Sequence, residues 1–322
     1  MNEKKNESGK THDVETYEVV IIGGGLAGLT AGLYAARGRL KALLLEAMMV
    51  GGQMMTTDIV ENYPGFPQGI SGAELTSIME EQAKRFGLMT EMGEVVGLEV
   101  ADGKKLVKTA ERAYQSEAVI ICTGTEYRKL GIPGEAEFTG RGVSFCATCD
   151  GAFFQDSKIV VVGGGDSALT EALFLTKFAG EITIIHRRDA LRATKIYQER
   201  AFANPKINFL WDSVVEEIKG NQTVDTVIVK NVKSGEVSEV RTEGVFMFIG
   251  IEPKTAFLRG VVELDESGYV VADETNLQTS VEGIFAAGDA RKKLLRQVAT
   301  AVGDGATAAF AVEKYLEERE RP

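Results

Sequence analysis

The stretch Glu18-Val19-Val20-Ile21-Ile22-Gly23-Gly24-Gly25-Leu26-Ala27-Gly28 runs a short apolar segment directly into a Gly-x-Gly-x-x-Gly turn. Leu29, Ala31, Leu33, Tyr34 and Ala36 follow with helical spacing as far as Gly38, and Ala42-Leu43-Leu44-Leu45-Glu46 is a second apolar segment ending in an acid. Strand, helix and strand in this order make a βαβ unit. Glycines in the turn let a pyrophosphate approach the helix N-terminus, and Glu46, 18 positions after Gly28, can accept hydrogen bonds from a ribose. The glycine pattern alone is a weak signal. With both strands, the helix and the acid in place it predicts a Rossmann-like, dinucleotide-binding unit.

The same signature returns in Ile159-Val160-Val161-Val162-Gly163-Gly164-Gly165-Asp166-Ser167-Ala168, whose first glycine stands 140 residues after Gly23. Adding that offset to Glu46 lands on His186, followed by Arg187, Arg188 and, four further on, Arg192. An acid at this place would repel a ribose 2′-phosphate, whereas guanidinium groups pair with one in fork geometry. The first unit should therefore take FAD or NAD and the second NADPH. A solvated basic patch is the plainer alternative for the three arginines.

Between the two turns lies Phe145-Cys146-Ala147-Thr148-Cys149-Asp150, with two of the chain's three cysteines. Cys-x-x-Cys spacing lets two sulfurs close a small ring and stabilises the thiolate that attacks another disulfide. A zinc half-site would need two more Cys or His ligands. Only Cys122, His12 and His186 remain, in an apolar run, the N-terminal stretch and the second nucleotide unit, so no metal is expected. A fixed structural disulfide is disfavoured in a chain whose opening Met1-Asn2-Glu3-Lys4-Lys5 leads into polar residues rather than a signal peptide's apolar core. The redox reading stands above both, in a cytoplasmic protein.

At 322 residues, 44% hydrophobic and 26% charged, the chain has room for two globular domains. A net charge of −11 disfavours nucleic acid and anionic membrane as partners. No apolar run reaches the roughly 18 residues of a membrane span. Residues 1–15 read as a mobile polar tail. Gly51-Gly52-Gln53 through Asn62-Tyr63-Pro64-Gly65-Phe66-Pro67 is either a plain surface loop or a cofactor wall. An amphipathic helix is expected over 72–87 and strands over 93–121, which would bury Cys122. Strands and turns are expected over 206–250, a buried strand closing on Gly288-Asp289, and a small-residue helix over 299–316.

Together, Cys146-Ala147-Thr148-Cys149-Asp150, the second glycine turn with His186-Arg187-Arg188 and Arg192, and Ala287-Gly288-Asp289 with Arg296-Gln297 resemble the low-molecular-weight, bacterial-type thioredoxin reductases, from about Tyr17 to Leu316. The resemblance implies an α/β fold of two Rossmann-like, three-layer nucleotide-binding domains, the NADPH domain inserted into the FAD domain. On chain order, FAD-binding segments 16–125 and 251–322 flank an NADPH domain at 126–250 that carries the cysteine pair. The resemblance also implies FAD on Gly23, Gly25, Gly28, Glu46, Gly51, Gly52, Gln53, Asn62, Gly288, Asp289, Arg296, Gln297 and Val298. It implies NADPH on Gly163, Gly165, Asp166, Ser167, His186, Arg187, Arg188 and Arg192.

The implied activity moves electrons from NADPH through FAD to the Cys146-Cys149 disulfide and on to thioredoxin or a similar small dithiol protein, in a homodimer. Cys149 is implied to face the flavin and Cys146 to meet the partner. Asp150 is the candidate acid or base, because no histidine remains for the proton; a helix cap or turn former is its plainer reading. Nicotinamide and disulfide must both reach one flavin ring, so the inserted domain is expected to rotate about crossings near Gly124-Thr125-Glu126 and Gly250-Ile251-Glu252-Pro253. Two other classes stay open: a reductase of a glutaredoxin-like adaptor that feeds a peroxidase, and a flavin redox sensor without turnover. Both nucleotide signatures beside the cysteine pair argue against the sensor.

Overall fold

The computed structural model describes residues 15–57, 59–101 and 103–320. The tail expected over 1–15 lies outside these apart from Glu15, where the first strand begins. In chain order the first elements are β1 (Glu15–Ile22), α1 (Leu26–Arg37), β2 (Ala42–Glu46), α2 (Gly72–Arg85), β3 (Met89–Met92), β4 (Val95–Ala101), β5 (Lys104–Thr109), β6 (Ala113–Ile121) and β7 (Thr125–Tyr127). Next come α3 (Glu135–Phe138), β8 (Val143–Ser144), α4 (Ala147–Asp150), β9 (Lys158–Gly163), α5 (Asp166–Leu175), β10 (Glu181–Ile185), α6 (Lys195–Phe202) and β11 (Ile207–Leu210). The chain ends with β12 (Ser213–Gly220), β13 (Val224–Asn231), β14 (Val237–Arg241), β15 (Gly244–Phe248), β16 (Ile251–Pro253), β17 (Ile284–Ala286) and α7 (Val298–Glu320).

Contacts divide the chain into two units. The first takes the described residues up to Met55, Ile59–Thr125 and those from Pro253 onward; the second takes Glu126–Glu252 with Thr56 and Thr57. In the first, β3, β2, β1, β6 and β17 form a parallel sheet, and the N-terminal half of β6, still paired with β1, pairs antiparallel on its other edge with β5, which pairs with β4. Inside the edge strand β3, the parallel strands are covered on both faces where they pair, which is why Val19–Ile22, Ala42–Leu45 and Ala118–Ile121 read as unbroken apolar runs. Val19, Ile21, Leu44 and Ile120 pack with Leu29, Ala31, Ala308 and Val312 of α1 and α7 on one side. Val20, Ile22, Leu43 and Val119 pack with Leu98, Val107 and Tyr114 of the antiparallel meander on the other. Each such Val, Leu or Ile stabilises the fold by about 1.5–3 kcal/mol.

The second unit repeats the plan. A parallel sheet in the order β11-β10-β9-β15-β8 carries α5 and α6 on one face and the antiparallel β12-β13-β14 on the other. Both are three-layer α/β units of Rossmann type. The two segments by which the chain passes between units, β7 and β16, pair with each other as a two-stranded sheet. No helix among the described residues is long and apolar enough to cross a membrane.

Candidate functional site

Cys146 and Cys149 are joined as a disulfide, with Cα atoms 5.4 Å apart. Cys146 precedes the single turn α4 and its sulfur accepts the backbone N–H of Cys149 at 3.2 Å. A donor so placed stabilises a thiolate on Cys146 once the bond is reduced. Ser144 Oγ accepts the Cys146 N–H at 3.0 Å and donates back to its carbonyl at 3.2 Å, fixing the approach to the pair. Cys149 is exposed and Cys146 half-buried, so exposure alone does not select Cys146 as the attacking thiol. Asp150 is half-buried and, with Arg141, Ser144, Phe153, Phe154 and Glu243, lines a cleft of about 360 Å³. Phe153, four residues beyond Cys149, is 81% exposed.

The first glycine turn is stitched to what surrounds it. Gly24 N–H donates to Glu46 Oε2 at 2.7 Å, Gly51 N–H donates to the Gly24 carbonyl at 2.8 Å, and Gly23 N–H donates to the Leu45 carbonyl at 2.8 Å. Glu46 thus braces the turn, and Gly51-Gly52 lies over Gly25. Gly52–Thr56 forms one helical turn inside what reads as a loop. Gln53 Nε2 donates to Thr125, including its Oγ1 at 3.0 Å. Asn62 Nδ2 donates to Gln297 Oε1 at 2.8 Å, bringing together two candidate residues 235 positions apart. Gly288 and Asp289 follow β17, and Arg296, Gln297 and Val298 lead into α7.

In the second unit Asp166 Oδ1 accepts both the backbone N–H (2.6 Å) and the hydroxyl (3.1 Å) of Thr194. The Gly164 carbonyl accepts the Arg192 N–H at 2.8 Å, so the basic loop is strapped to the glycine turn. Ser167 is exposed at the start of α5. His186 is buried, its Nε2 3.1 Å from the Ala190 carbonyl oxygen. Burial pushes its pKa below the ordinary range; the Ala190 bond opposes this, while Arg192, Arg187 and Arg188 add to it. Arg187, Arg188 and Arg192 are exposed, and none pairs with a carboxylate among the described residues. Burial also pushes the Cys122 thiol far up, consistent with a packing residue.

These residues fit two dinucleotides. A Cβ built on Gly25 or on Gly165 meets no atom within 4 Å, so the middle glycine of each turn faces open space at a helix N-terminus. Thr123 Oγ1 and Arg296 Nε are buried without a hydrogen-bond partner among the described residues, and Asp289 Oδ1, just beyond β17, is buried with the Lys293 ammonium 3.4 Å away. Burial raises the Asp289 pKa against the pull of Lys293 and Arg296, the sign of a carboxylate lacking part of its solvation. Thr123 carries no sequence signal for this role. By contrast a Cβ on Gly28 would stand 1.9 Å from the Gly23 carbonyl oxygen. Gly28→Ala should therefore cost about 1–3 kcal/mol and open the turn. A lower Tm and a fall in flavin per protein, read from the absorbance spectrum of the purified variant, are expected; parent values for both would show that the turn tolerates a side chain.

Residues 17–305 match the pyridine nucleotide-disulphide oxidoreductase family. The chain is 51% identical over 308 residues to a thioredoxin reductase of Peptoclostridium litorale, covering 94% of this chain and 98% of that one. It is 50% identical over 307 residues to a thioredoxin reductase of Bacillus subtilis, covering 94% and 95%. Among solved structures, the thioredoxin reductase of Lactococcus lactis in its FR conformation superposes with a TM-score of 0.92 at 48% identity, covering 94% of this chain and 99% of that one.

Proposed function

Because this chain belongs to the pyridine nucleotide-disulphide oxidoreductase family, among its thioredoxin reductases, we infer that it reduces the disulfide of a thioredoxin at the expense of NADPH. The observation that carries the inference is the Cys146–Cys149 disulfide, set on the same unit as the second glycine turn and its arginines. The enzyme uses FAD and NADPH, and FAD supplies the chemistry that converts a two-electron hydride donor into a reductant of disulfides. In our reading Gly23, Gly25, Gly28, Glu46, Gly51, Gly52, Gln53, Asn62, Gly288, Asp289, Arg296, Gln297 and Val298 hold FAD on the first unit. Gly163, Gly165, Asp166, Ser167, His186, Arg187, Arg188 and Arg192 hold NADPH on the second.

Two electrons and two protons open the Cys146–Cys149 bond to a dithiol. One sulfur, as thiolate, attacks the partner's disulfide and expels a partner thiolate; the other sulfur then attacks the mixed disulfide, re-forming Cys146–Cys149 and releasing the partner as a dithiol. In our reading Asp150, next in the chain to Cys149, carries a proton in this exchange. The exposed ring of Phe153 offers a small protein an apolar footing close to the pair. The resemblance extends the proposal to a homodimer in the cytoplasm. NADPH oxidation with thioredoxin, compared with a glutaredoxin-like adaptor, tests the function; turnover of the adaptor alone would shift the assignment. Phe153→Ala should raise KM for thioredoxin about tenfold and leave turnover of a small-molecule disulfide unchanged. An unchanged KM for thioredoxin would remove Phe153 from the docking surface.

A further inference from the structure

Behind the Gly288-Asp289 turn lies a buried cluster of charges that electron transfer does not use. Asp304 of α7 is only 9% exposed. Its Oδ2 accepts the backbone N–H of Gly288 (3.0 Å), Arg291 Nε (2.9 Å) and Lys293 Nζ (3.0 Å), while Oδ1 accepts Arg291 Nη2 (2.9 Å). Arg291 therefore grips the carboxylate with both prongs of its fork. The Lys293 side chain is 5% exposed; it also donates to Thr300 Oγ1 at 3.2 Å and stands 3.4 Å from Asp289 Oδ1. Two carboxylates and two cations balance. Burial would push the Asp304 carboxyl up, but Arg291 and Lys293 outweigh it and hold it below the usual carboxylate range.

A buried ion cluster is a poor source of stability, since desolvation cancels much of its attraction, but its geometry is exacting. What singles this one out is where its bonds land. The Gly288 N–H and, through Lys293, the Asp289 carboxylate both belong to the turn read as part of the FAD site. We propose that Asp304 is a positioning residue which, by clamping Gly288, Arg291 and Lys293, holds Asp289 in its flavin-binding position before FAD arrives. This rests on the reading of Asp289 as an FAD ligand. If the clamp sets the fraction of apoprotein that is competent to bind, loosening it raises the apparent Kd by the reciprocal of that fraction.

The test measures FAD rebinding to apoprotein for the parent, Asp304→Asn and Asp289→Asn, with folding checked by circular dichroism. Asp304→Asn should raise the Kd for FAD about 10–100-fold, mainly through slower association, while the second unit's Kd for NADP⁺ stays at the parent value. A second variant, Asp304→Asn with Lys293→Gln, removes one charge of each sign and should show the same loss where the single variant folds poorly. Lower thermal stability with parent Kd and association rate would make Asp304 a structural tether only and overturn the proposal. If Asp289→Asn weakens FAD and neither Asp304 variant does, the proposal falls and the reading of Asp289 stands. If none of the three weakens FAD, that reading falls and takes the proposal with it.

Discussion

Cys149→Ser yields a protein that keeps its FAD and its bleaching by NADPH but reduces thioredoxin about 10³-fold more slowly or worse. The size of the loss follows from the need for two sulfurs. A lone Cys146 thiol can attack a partner disulfide, but only a neighbouring thiol can resolve the mixed disulfide, and the structure offers none: Cys122 is fully buried in the core of the first unit. The variant should instead accumulate a covalent adduct with thioredoxin, visible by mass. Both readouts matter, because a misfolded variant would lose flavin as well. Thioredoxin reduction at the parent rate by Cys149→Ser would end the assignment of the pair as the redox centre.

Replacing Arg187 and Arg188 together by Ala should lower the NADPH-to-NADH ratio of kcat/KM by about 10²–10⁴-fold. Each charge-assisted bond to a phosphate contributes about 1.5–3 kcal/mol, and each 1.36 kcal/mol is a factor of ten. Neither arginine has a carboxylate partner among the described residues, so the change breaks no internal ion pair and should spare stability. The only tryptophan, Trp211, lies edge-on to His186 with ring centres 6.4 Å apart, so its fluorescence gives a binding signal independent of turnover. A ratio that stays put would reduce the arginines to a solvated basic patch.

Both βαβ units are legible in the chain because strands buried on two faces have no room for polar residues, and Val19–Ile22 and Ile159–Val162 show it. Boundaries blur where backbone conformation decides them. Spacing predicts a helix over 72–87, but α2 stops at Arg85 and Gly87 takes φ +97°. The turn at Gly52–Thr56 opens on a poor helix former, so nothing local announces it. Lys105 reads as a surface lysine of a strand, yet it is 1% exposed and donates to the Glu117 carbonyl at 2.7 Å and to Tyr315 Oη at 3.2 Å, the latter 210 residues away. Asp304 reads as one polar residue between Gly303 and Gly305. Its partners Arg291 and Lys293 stand 13 and 11 residues back in a loop, and only the tertiary fold turns these three into a cluster.

The pairing of β7 with β16 means that the second unit can be excised at a single loop. Hydrogen bonds close both ends of this ribbon, from Arg128 N–H to the Gly250 carbonyl (3.0 Å) and from Lys254 N–H to the Gly124 carbonyl (3.1 Å). The stretch that leaves at Thr125 and returns at Pro253 therefore begins and ends at one spot, as a graft does. For the rest of the chain it occupies a single loop. Strands β6 and β17, on either side of it in sequence, pair directly through Val119 with Ile284 and Ile121 with Ala286, so the host sheet is whole without it. Segments with adjoining ends are those that chains accept by insertion. The first unit's sheet would therefore keep all its strand pairings if the stretch between Thr125 and Pro253 were replaced by a short turn.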